Sequence, residues 1–266
     1  MKKRYSLFLI SLSSALFAGD DMNRVPVSYE IGAATFQGML IYDSDQAEQP
    51  LPGIVMYPNW MGPSAASYQK AEQIADNDFA VFVADMYGTD VRPKNSSEAG
   101  AAAGPVRADR ALMRERALKA VEVFKSLADA HPIDSDKTLA IGFCFGGGTV
   151  LEMARSGMHA VDGIVSFHGD LMSPTLDADA AQVRIPQLIL HGADDPYVPQ
   201  ADVQAFIAAM HAGSVADWTL VQFSGTVHSF TDPSADSDGA RYHRRSAERA
   251  FEMMDDFAEE VLELDD

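Results

Sequence analysis

The chain contains a single cysteine, Cys144, among its 266 residues. One thiol excludes an internal disulfide, so the fold must be stabilised by its core, for which a hydrophobic content of 47% is sufficient. Basic residues are also scarce: 20 lysines and arginines stand against 39 aspartates and glutamates, which gives a formal net charge of −19. This excess of negative charge repels phosphate backbones and anionic lipids. We therefore predict that the protein binds neither nucleic acid nor membranes.

The N-terminal apolar segment is too short to span a bilayer comfortably, which takes about 20 residues. A basic start, Lys2-Lys3-Arg4, precedes the uncharged residues 5–18, and the small residue Ala18 ends them. This order predicts a secretory signal peptide over residues 1–18, with cleavage after Ala15 or Ala18. The mature protein is then periplasmic or secreted, and residues 19–266 form a single domain.

Short apolar runs alternate with helical patterns along the rest of the chain. The first two runs predict an antiparallel hairpin, and apolar residues at helical spacing over residues 117–127 and 251–261 predict amphipathic helices. Strands that alternate with helices favour an α/β fold, with a mostly parallel twisted sheet and helices on both faces. The predicted strands cover residues 25–31, 36–42, 53–57, 80–85, 138–143, 163–167, 187–191 and 218–223.

Cys144 lies between two glycine-containing segments, with a strand-like run before it and a helix-like stretch after it. This is the sequence form of a nucleophile elbow, a tight strand-to-helix turn in which Gly142 and Gly146 relieve a crowded backbone. A thiol at a helix N-terminus is favoured as the thiolate. The alternative is a buried cysteine that acts as a small hydrophobic residue. The combination of strand, glycines and helix favours the nucleophile.

A cysteine nucleophile needs a base and a third group that orients the base. His228 follows the last predicted strand, and Asp194 and Asp195 follow the strand before it. Cysteine, aspartate and histidine in this order match the nucleophile, acid and histidine of α/β-hydrolases. The Gly-x-x-Asp-x-x-Val-Pro pattern selects Asp195 as the acid, while Asp194 is interpreted as a loop residue that caps a turn. His168, at the end of another strand, is a candidate for lining the pocket.

Several motifs together resemble the dienelactone hydrolase family of α/β-hydrolases, and the resemblance extends over residues 25–262. It implies the α/β-hydrolase fold and the hydrolysis of an ester or lactone, with Cys144 as nucleophile, Asp195 as acid and His228 as base. It also implies an oxyanion hole built from the backbone N–H groups of Phe145 and Trp60. The motifs are Pro-Asn-Trp-Met-Gly (58–62), Val-Ala-Asp-Met-Tyr-Gly (83–88), Gly-Phe-Cys-Phe-Gly-Gly (142–147), His-Gly-Ala-Asp-Asp-Pro-Tyr-Val-Pro (191–199) and Val-His-Ser-Phe (227–230).

Two positions depart from the family's namesake. Asn59 stands where the namesake has a glutamate that helps to deprotonate the thiol, so Cys144 would depend on His228 alone for activation. Asp232 stands where the namesake has an arginine that binds the substrate carboxylate, and an aspartate would repel that group. The departures argue against dienelactone itself as the substrate. Asn59 is a candidate for lining the substrate pocket.

Arginines elsewhere offer a replacement for the missing positive charge. Arg92 lies in a loop, and an arginine series with i, i+3, i+7 spacing would share one helix face where it could bind an anionic group. The preferred alternative is a solvated helix face that pairs with Asp109 and Glu115. Arg92 and Arg107 are kept as pocket candidates. The series consists of Arg107, Arg110 and Arg114.

The sequence therefore predicts a hydrolase that cleaves a small ester or lactone through an acyl-cysteine intermediate. A carboxylesterase or thioesterase of other specificity is one alternative, and a catalytically weak hydrolase fold that binds a small molecule is another. No cysteine and histidine cluster has metal-ligand spacing, so we predict no metal and no cofactor. The oligomeric state is expected to be a monomer or a small homo-oligomer.

Overall fold

A computed structural model describes residues 22–264, so the predicted signal peptide lies outside the described residues. The predicted strands are all present and form one sheet in the order β1-β2-β4-β3-β5-β6-β7-β8. The strands are β1 (Met22–Ile31), β2 (Ala34–Asp43), β3 (Leu51–Tyr57), β4 (Ala80–Val83), β5 (Ile133–Phe143), β6 (Gly163–Phe167), β7 (Gln187–Gly192) and β8 (Trp218–Phe223).

α-Helices connect the parallel strands of the sheet, and the last helix follows the final strand. Within the described range these are α1 (Ala65–Ala75), α2 (Ser96–Ala108), α3 (Arg110–Ser126), α4 (Phe145–Arg155), α5 (Leu176–Ala180), α6 (Gln200–Ala212) and α7 (Arg244–Val261).

The sheet is antiparallel at one edge and parallel everywhere else. β1 and β2 pair in antiparallel register through a two-residue turn at Gly32 and Ala33, where Gly32 has a φ of 59°. β2 pairs antiparallel with β4, and all pairings from β4 to β8 are parallel. The carboxyl ends of the six parallel strands therefore meet at one edge, where α/β proteins place their functional groups. The prediction of a mostly parallel α/β fold is confirmed.

Two apolar layers cover the two faces of the sheet. In β3, Val55 and Tyr57 pack into the layer formed with α2 to α6, while Ile54 and Met56 pack into the layer formed with α1 and α7. All four side chains are fully buried. A strand that is apolar on both faces is what a covered parallel sheet requires, because neither face meets water.

The prediction that Arg107, Arg110 and Arg114 share one helix face is wrong. The backbone leaves the helical region at Asp109 (φ −113°, ψ 92°), which ends α2 and caps α3 by accepting the N–H of Leu112. The predicted ion pairs within the same stretch are also wrong, because Arg114 pairs with two acidic residues that are distant in sequence. Those residues are Glu152 and Asp179.

Candidate active site

Cys144 forms the turn between β5 and α4 and has a positive φ of 55° with a ψ of −111°. This conformation is strained for a residue with a side chain, and the surrounding packing must hold it. There is no space for a side chain two residues before or two residues after Cys144. A Cβ on Gly142 would overlap the carbonyl of Gly146, and a Cβ on Gly146 would overlap the carbonyl of Tyr57. The two glycines are therefore needed so that strand, helix and β3 can approach each other closely.

Three loops bring the predicted nucleophile, base and acid together at the carboxyl ends of β5, β8 and β7. The Cys144 thiol interacts with His228, which lowers the pKa of the thiol through hydrogen bonding and positive charge. His228 Nδ1 lies 2.7 Å from Asp195 Oδ2. The other carboxylate oxygen of Asp195 accepts the backbone N–H groups of Tyr197 and Val198, at 2.8 and 3.3 Å. Both oxygens of this buried carboxylate are thus used, and the side chain has one orientation.

Asp194 has no part in this arrangement. Its side chain is exposed, whereas Asp195 retains only 4% of its surface. The structure therefore places Asp195, and not Asp194, against the histidine. The backbone N–H of Asp194 donates to Thr226, which ties the acid loop to the histidine loop.

The thiol and the imidazole perturb each other's titration. Burial raises the pKa of Cys144, but the hydrogen bond to His228, the positive charges of His228 and Arg107, and the N–H of Phe145 outweigh burial and leave this pKa lowered. Burial lowers the pKa of His228, but its hydrogen bonds to Asp195 and Cys144 outweigh that effect and raise the pKa. The two directions together favour a thiolate–imidazolium pair at neutral pH.

The two backbone N–H groups predicted to form the oxyanion hole belong to Phe145, at the start of α4, and to Trp60, in the β3–α1 loop. The backbone N–H of Phe145 is one of the groups that lower the pKa of the Cys144 thiol. Among residues 22–264, the N–H of Trp60 donates no hydrogen bond, while its carbonyl accepts the hydroxyl of Tyr87 at 2.9 Å. Asn59 accepts the N–H of Met61 at 3.0 Å, so it fixes the turn that carries Trp60.

His168 lies beneath the site and does not line it from above. Its side chain is buried, and its Nδ1 accepts the backbone N–H of Cys144 at 3.1 Å. The ring stands edge-on to that of His228, with 5.0 Å between the ring centroids. His168 is therefore a support of the elbow rather than part of the pocket surface.

The two arginine candidates occupy different environments. Arg92 donates to Asp85 at 2.8 Å and to the carbonyl of Gly88, and the hollow that it lines contains none of Cys144, Asp195 and His228. Arg107 lies with its guanidinium carbon 5.5 Å from the ring centroid of Phe145. In the described part of the chain, Arg107 pairs with no carboxylate. The structure thus brings Arg107, and not Arg92, to the elbow.

Asp232 caps its own turn, where its Oδ1 accepts the N–H and the hydroxyl of Ser234 at 2.9 and 2.7 Å. It lines a cavity of about 200 Å³ together with Asn59 and Lys70. The two positions that depart from the namesake therefore meet in one cavity, whose lining includes none of Cys144, Asp195 and His228.

Sequence reasoning missed several residues that hold or cover the site. Tyr197 is 64% exposed and stands edge-on over His228, with 5.3 Å between the ring centroids. Its position two residues after Asp195 in a Pro-Tyr-Val-Pro turn was the available signal. Thr231 and Lys70 also belong to the support of the site, but only contacts across the fold reveal them.

No three His, Cys, Asp or Glu side chains of residues 22–264 are close enough together to hold a metal ion. Over the same range, no helix has both the length and the apolar character needed to cross a bilayer.

The model of the dienelactone hydrolase family matches residues 36–262. The chain belongs to this family. The structure named m3DLH is 31% identical, with a TM-score of 0.80 over 91% of this chain and 99% of that one. A dienelactone hydrolase-like promiscuous phosphotriesterase, P91, from metagenomic libraries is 32% identical, with a TM-score of 0.81 over the same shares. An uncharacterized protein of Caenorhabditis elegans is 30% identical over 139 residues, which are 49% of this chain and 84% of that protein.

Membership of this hydrolase family agrees with the α/β-hydrolase fold and the mostly parallel eight-stranded sheet. A putative dienelactone hydrolase from Klebsiella pneumoniae, 18% identical, shares the fold with a TM-score of 0.75 over 92% of this chain and 99% of that one.

Proposed function

We propose that this member of the dienelactone hydrolase family hydrolyses a carboxylic ester or lactone through an acyl-cysteine intermediate. Cys144 is the nucleophile, His228 the general base and acid, and Asp195 the group that orients His228. The observation that carries the proposal is the placement of Cys144, at a strained strand-to-helix turn, beside His228, whose Nδ1 lies 2.7 Å from the buried carboxylate of Asp195. Binding alone would not require all three groups.

In the first half of the reaction, the Cys144 thiolate attacks the carbonyl carbon and a C–S bond forms. The carbonyl electron pair moves onto oxygen, where the N–H groups of Phe145 and Trp60 stabilise the negative charge. Each such donor is worth about 3–4 kcal/mol in other enzymes. The pair returns as the C–O bond breaks, and the leaving alkoxide takes the proton of the His228 imidazolium.

In the second half, His228 takes a proton from a water molecule that attacks the acyl-cysteine. The tetrahedral intermediate expels the thiolate and releases the carboxylic acid, and the imidazolium re-forms beside the thiolate. Asp195 keeps the imidazole in the tautomer and orientation that both halves need. A thiolate that is already present in the resting enzyme makes the glutamate of the namesake unnecessary, which accounts for Asn59.

The substrate class is narrowed by charge. Asp232 stands where the namesake binds a carboxylate, so we expect dienelactone to be a poor substrate. An ester or thioester whose acyl group is neutral near Asp232 is favoured instead. Arg107 offers positive charge at the opposite, elbow side of the site.

We also propose that the enzyme is exported, from the order of basic and apolar residues in positions 1–18.

Phosphotriester hydrolysis is a second candidate activity. P91, named a promiscuous phosphotriesterase, is 32% identical over 91% of this chain. The same groups would serve this reaction, because a P=O oxygen can occupy the oxyanion hole while the thiolate displaces an aryloxide, which takes the proton of His228. Water activated by His228 would then cleave the P–S bond, release the phosphodiester and regenerate the thiolate.

The test is the hydrolysis of p-nitrophenyl acetate by wild type, Cys144→Ala and Cys144→Ser, with dienelactone and paraoxon in the same panel. We expect Cys144→Ala to lose activity and wild type to carry a transient acetyl group, seen by intact-mass spectrometry after rapid acid quench. Because the chain has one cysteine, a thioester adduct that hydroxylamine removes identifies Cys144. Equal, slow hydrolysis by wild type and Cys144→Ala would contradict the proposal and leave a small-molecule-binding fold.

A further inference from the structure

A buried series of hydrogen bonds joins the cysteine elbow to the histidine loop beneath the candidate triad. The backbone N–H of Cys144 is shared between the carbonyl of Phe167, at 3.0 Å, and His168 Nδ1, at 3.1 Å, and His168 Nε2 lies 2.9 Å from Thr231 Oγ1. Thr231 is three residues beyond His228 in the same loop. The imidazole of His168 thus spans the distance between the nucleophile's own backbone and the loop that carries the base.

The contacts of His168 define its protonation state. Because Nδ1 accepts an amide hydrogen, Nε2 carries the ring hydrogen and donates it to the hydroxyl of Thr231. Burial lowers the pKa of His168 well below its usual value, and the charges of His228, Lys70 and His191, which face it from three other elements, act in the same direction. A neutral His168 keeps both of its hydrogen bonds, whereas a protonated ring would leave the Cys144 amide with the carbonyl of Phe167 as its one acceptor among the described residues.

Lys70 on α1 holds the far end of the series. Its Nζ donates to the carbonyl of Thr231 at 2.7 Å and lies 4.4 Å from the ring centroid of Phe143, the residue before Cys144. Thr231 is therefore held through its carbonyl by Lys70 and through its hydroxyl by His168, and Lys70 Nζ also lies 3.5 Å from that hydroxyl oxygen. The hydroxyl bond can be removed by mutation without changing the carbonyl bond.

We propose that His168 is a positioning residue that sets the separation of the Cys144 thiol from the His228 imidazole, by binding the Cys144 amide and the Thr231 hydroxyl at once. This inference rests on the triad of the proposed function. His168 touches no substrate in this role. It acts through Cys144 and His228, and what it protects is the thiolate–imidazolium pair, which is sensitive to distance.

The test uses Thr231→Val, which removes the hydroxyl at nearly constant volume, with Thr231→Ser as the variant that restores it. Thr138→Val is the matched control, because Thr138 is equally buried and donates a hydroxyl bond to Ser135 at the opposite end of β5. Two quantities are measured: the pH dependence of iodoacetamide alkylation, followed by intact mass, and kcat and KM for p-nitrophenyl acetate. Thermal unfolding of each variant reports on stability separately.

We expect Thr231→Val to shift the alkylation profile to higher pH and to lower kcat by about 10- to 100-fold, with KM changed little. Thr231→Ser and Thr138→Val should behave as wild type in both measurements. His168→Asn, which keeps an acceptor for Cys144 but cannot reach Thr231, should reproduce Thr231→Val. A merely structural role for His168 would lower the unfolding temperature without moving the alkylation profile.

The inference is overturned if folded Thr231→Val alkylates and turns over as wild type does, in which case the proposed function stands without it. If wild type itself alkylates with the pH dependence of an ordinary thiol, near pKa 8.5, the resting ion pair is absent and the inference is overturned with it. Loss of ester hydrolysis in Cys144→Ala tests the proposed function independently of both results.

Discussion

Asp195 Oδ2 accepts the Nδ1–H of His228 at 2.7 Å, and this bond connects the loop after β7 to the loop after β8. The carboxylate is itself fixed, because its other oxygen accepts the amides of Tyr197 and Val198. The imidazole therefore presents Nε2 towards Cys144 with its tautomer already chosen. An aspartate with this many donors is a fixed part of the site rather than a mobile surface charge.

Replacing Asp195 with asparagine should lower kcat for ester hydrolysis by about 10²- to 10⁴-fold, because an amide can stabilise the wrong imidazole tautomer and cannot balance the imidazolium. KM should change little, since Asp195 is not in contact with the substrate. Steady-state kinetics of Asp194→Asn provide the matched control, because that exposed neighbour should retain full activity. Similar losses in the two variants would contradict the assignment of Asp195.

Much of the site can be predicted from the sequence because its signals are local. The elbow is recognisable because the neighbouring backbone comes so close that only glycine fits at Gly142 and Gly146. The order Cys144, Asp195, His228 follows from the order of the strands. The role of His168 cannot be predicted in this way. It depends on a ring tautomer and on Thr231, which is 63 residues away in sequence.

The arginines also show a limit of prediction from sequence spacing. A spacing of i, i+3, i+7 predicts one helix face, but the backbone of Asp109 interrupts the helix, and helical spacing cannot reveal a change of backbone direction. Arg114 is then satisfied by acidic residues 38 and 65 positions away. Of these three arginines, only Arg107 forms no ion pair with a described residue, which is why it is the one that matters for the thiol.

Replacing Arg107 with glutamine should raise the pKa of Cys144, because the guanidinium is one of the charges that lower it. The iodoacetamide alkylation profile should shift to higher pH. The reduction in kcat/KM for a neutral ester, relative to wild type, should be largest at pH values below the wild-type thiol pKa, where the variant holds the smaller fraction of thiolate. Arg249→Gln, an exposed arginine on α7, is the control and should leave the profile unchanged. An unshifted profile in Arg107→Gln would show that the charge is screened by solvent.

Replacing Gly146 with alanine should destabilise the protein by more than about 2 kcal/mol, since the new methyl group would overlap backbone atoms that cannot move away. Gly100→Ala on α2 is the contrasting variant, because its methyl would meet only the edge of the Trp60 ring at 4.0 Å. In a helix interior this change should stabilise by about 0.5–1 kcal/mol. Urea unfolding of the two variants measures both values. Equal stability of the two variants would contradict the packing argument at the elbow.

Asp255 on α7 gives stability a pH dependence of its own. Burial and the nearby carboxylates of Glu259, Asp256 and Glu252 raise its pKa from 3.8 to about 7. The folded state thus holds a proton that the unfolded state releases above pH 3.8, so the stability contribution of Asp255 is full at low pH and is lost as pH rises through 7.

Asp255→Asn should therefore raise the melting temperature at pH 8, by about 2–4 °C for each kcal/mol recovered. The gain should vanish near pH 3, below the unfolded pKa of 3.8, where wild type carries the proton in both states. Asp217→Asn, at an exposed loop position, controls for the loss of one negative charge from an acidic protein. Calorimetry at the two pH values measures these melting temperatures. A gain of the same size at both pH values, or in both variants, would assign the effect to net charge and not to burial of Asp255.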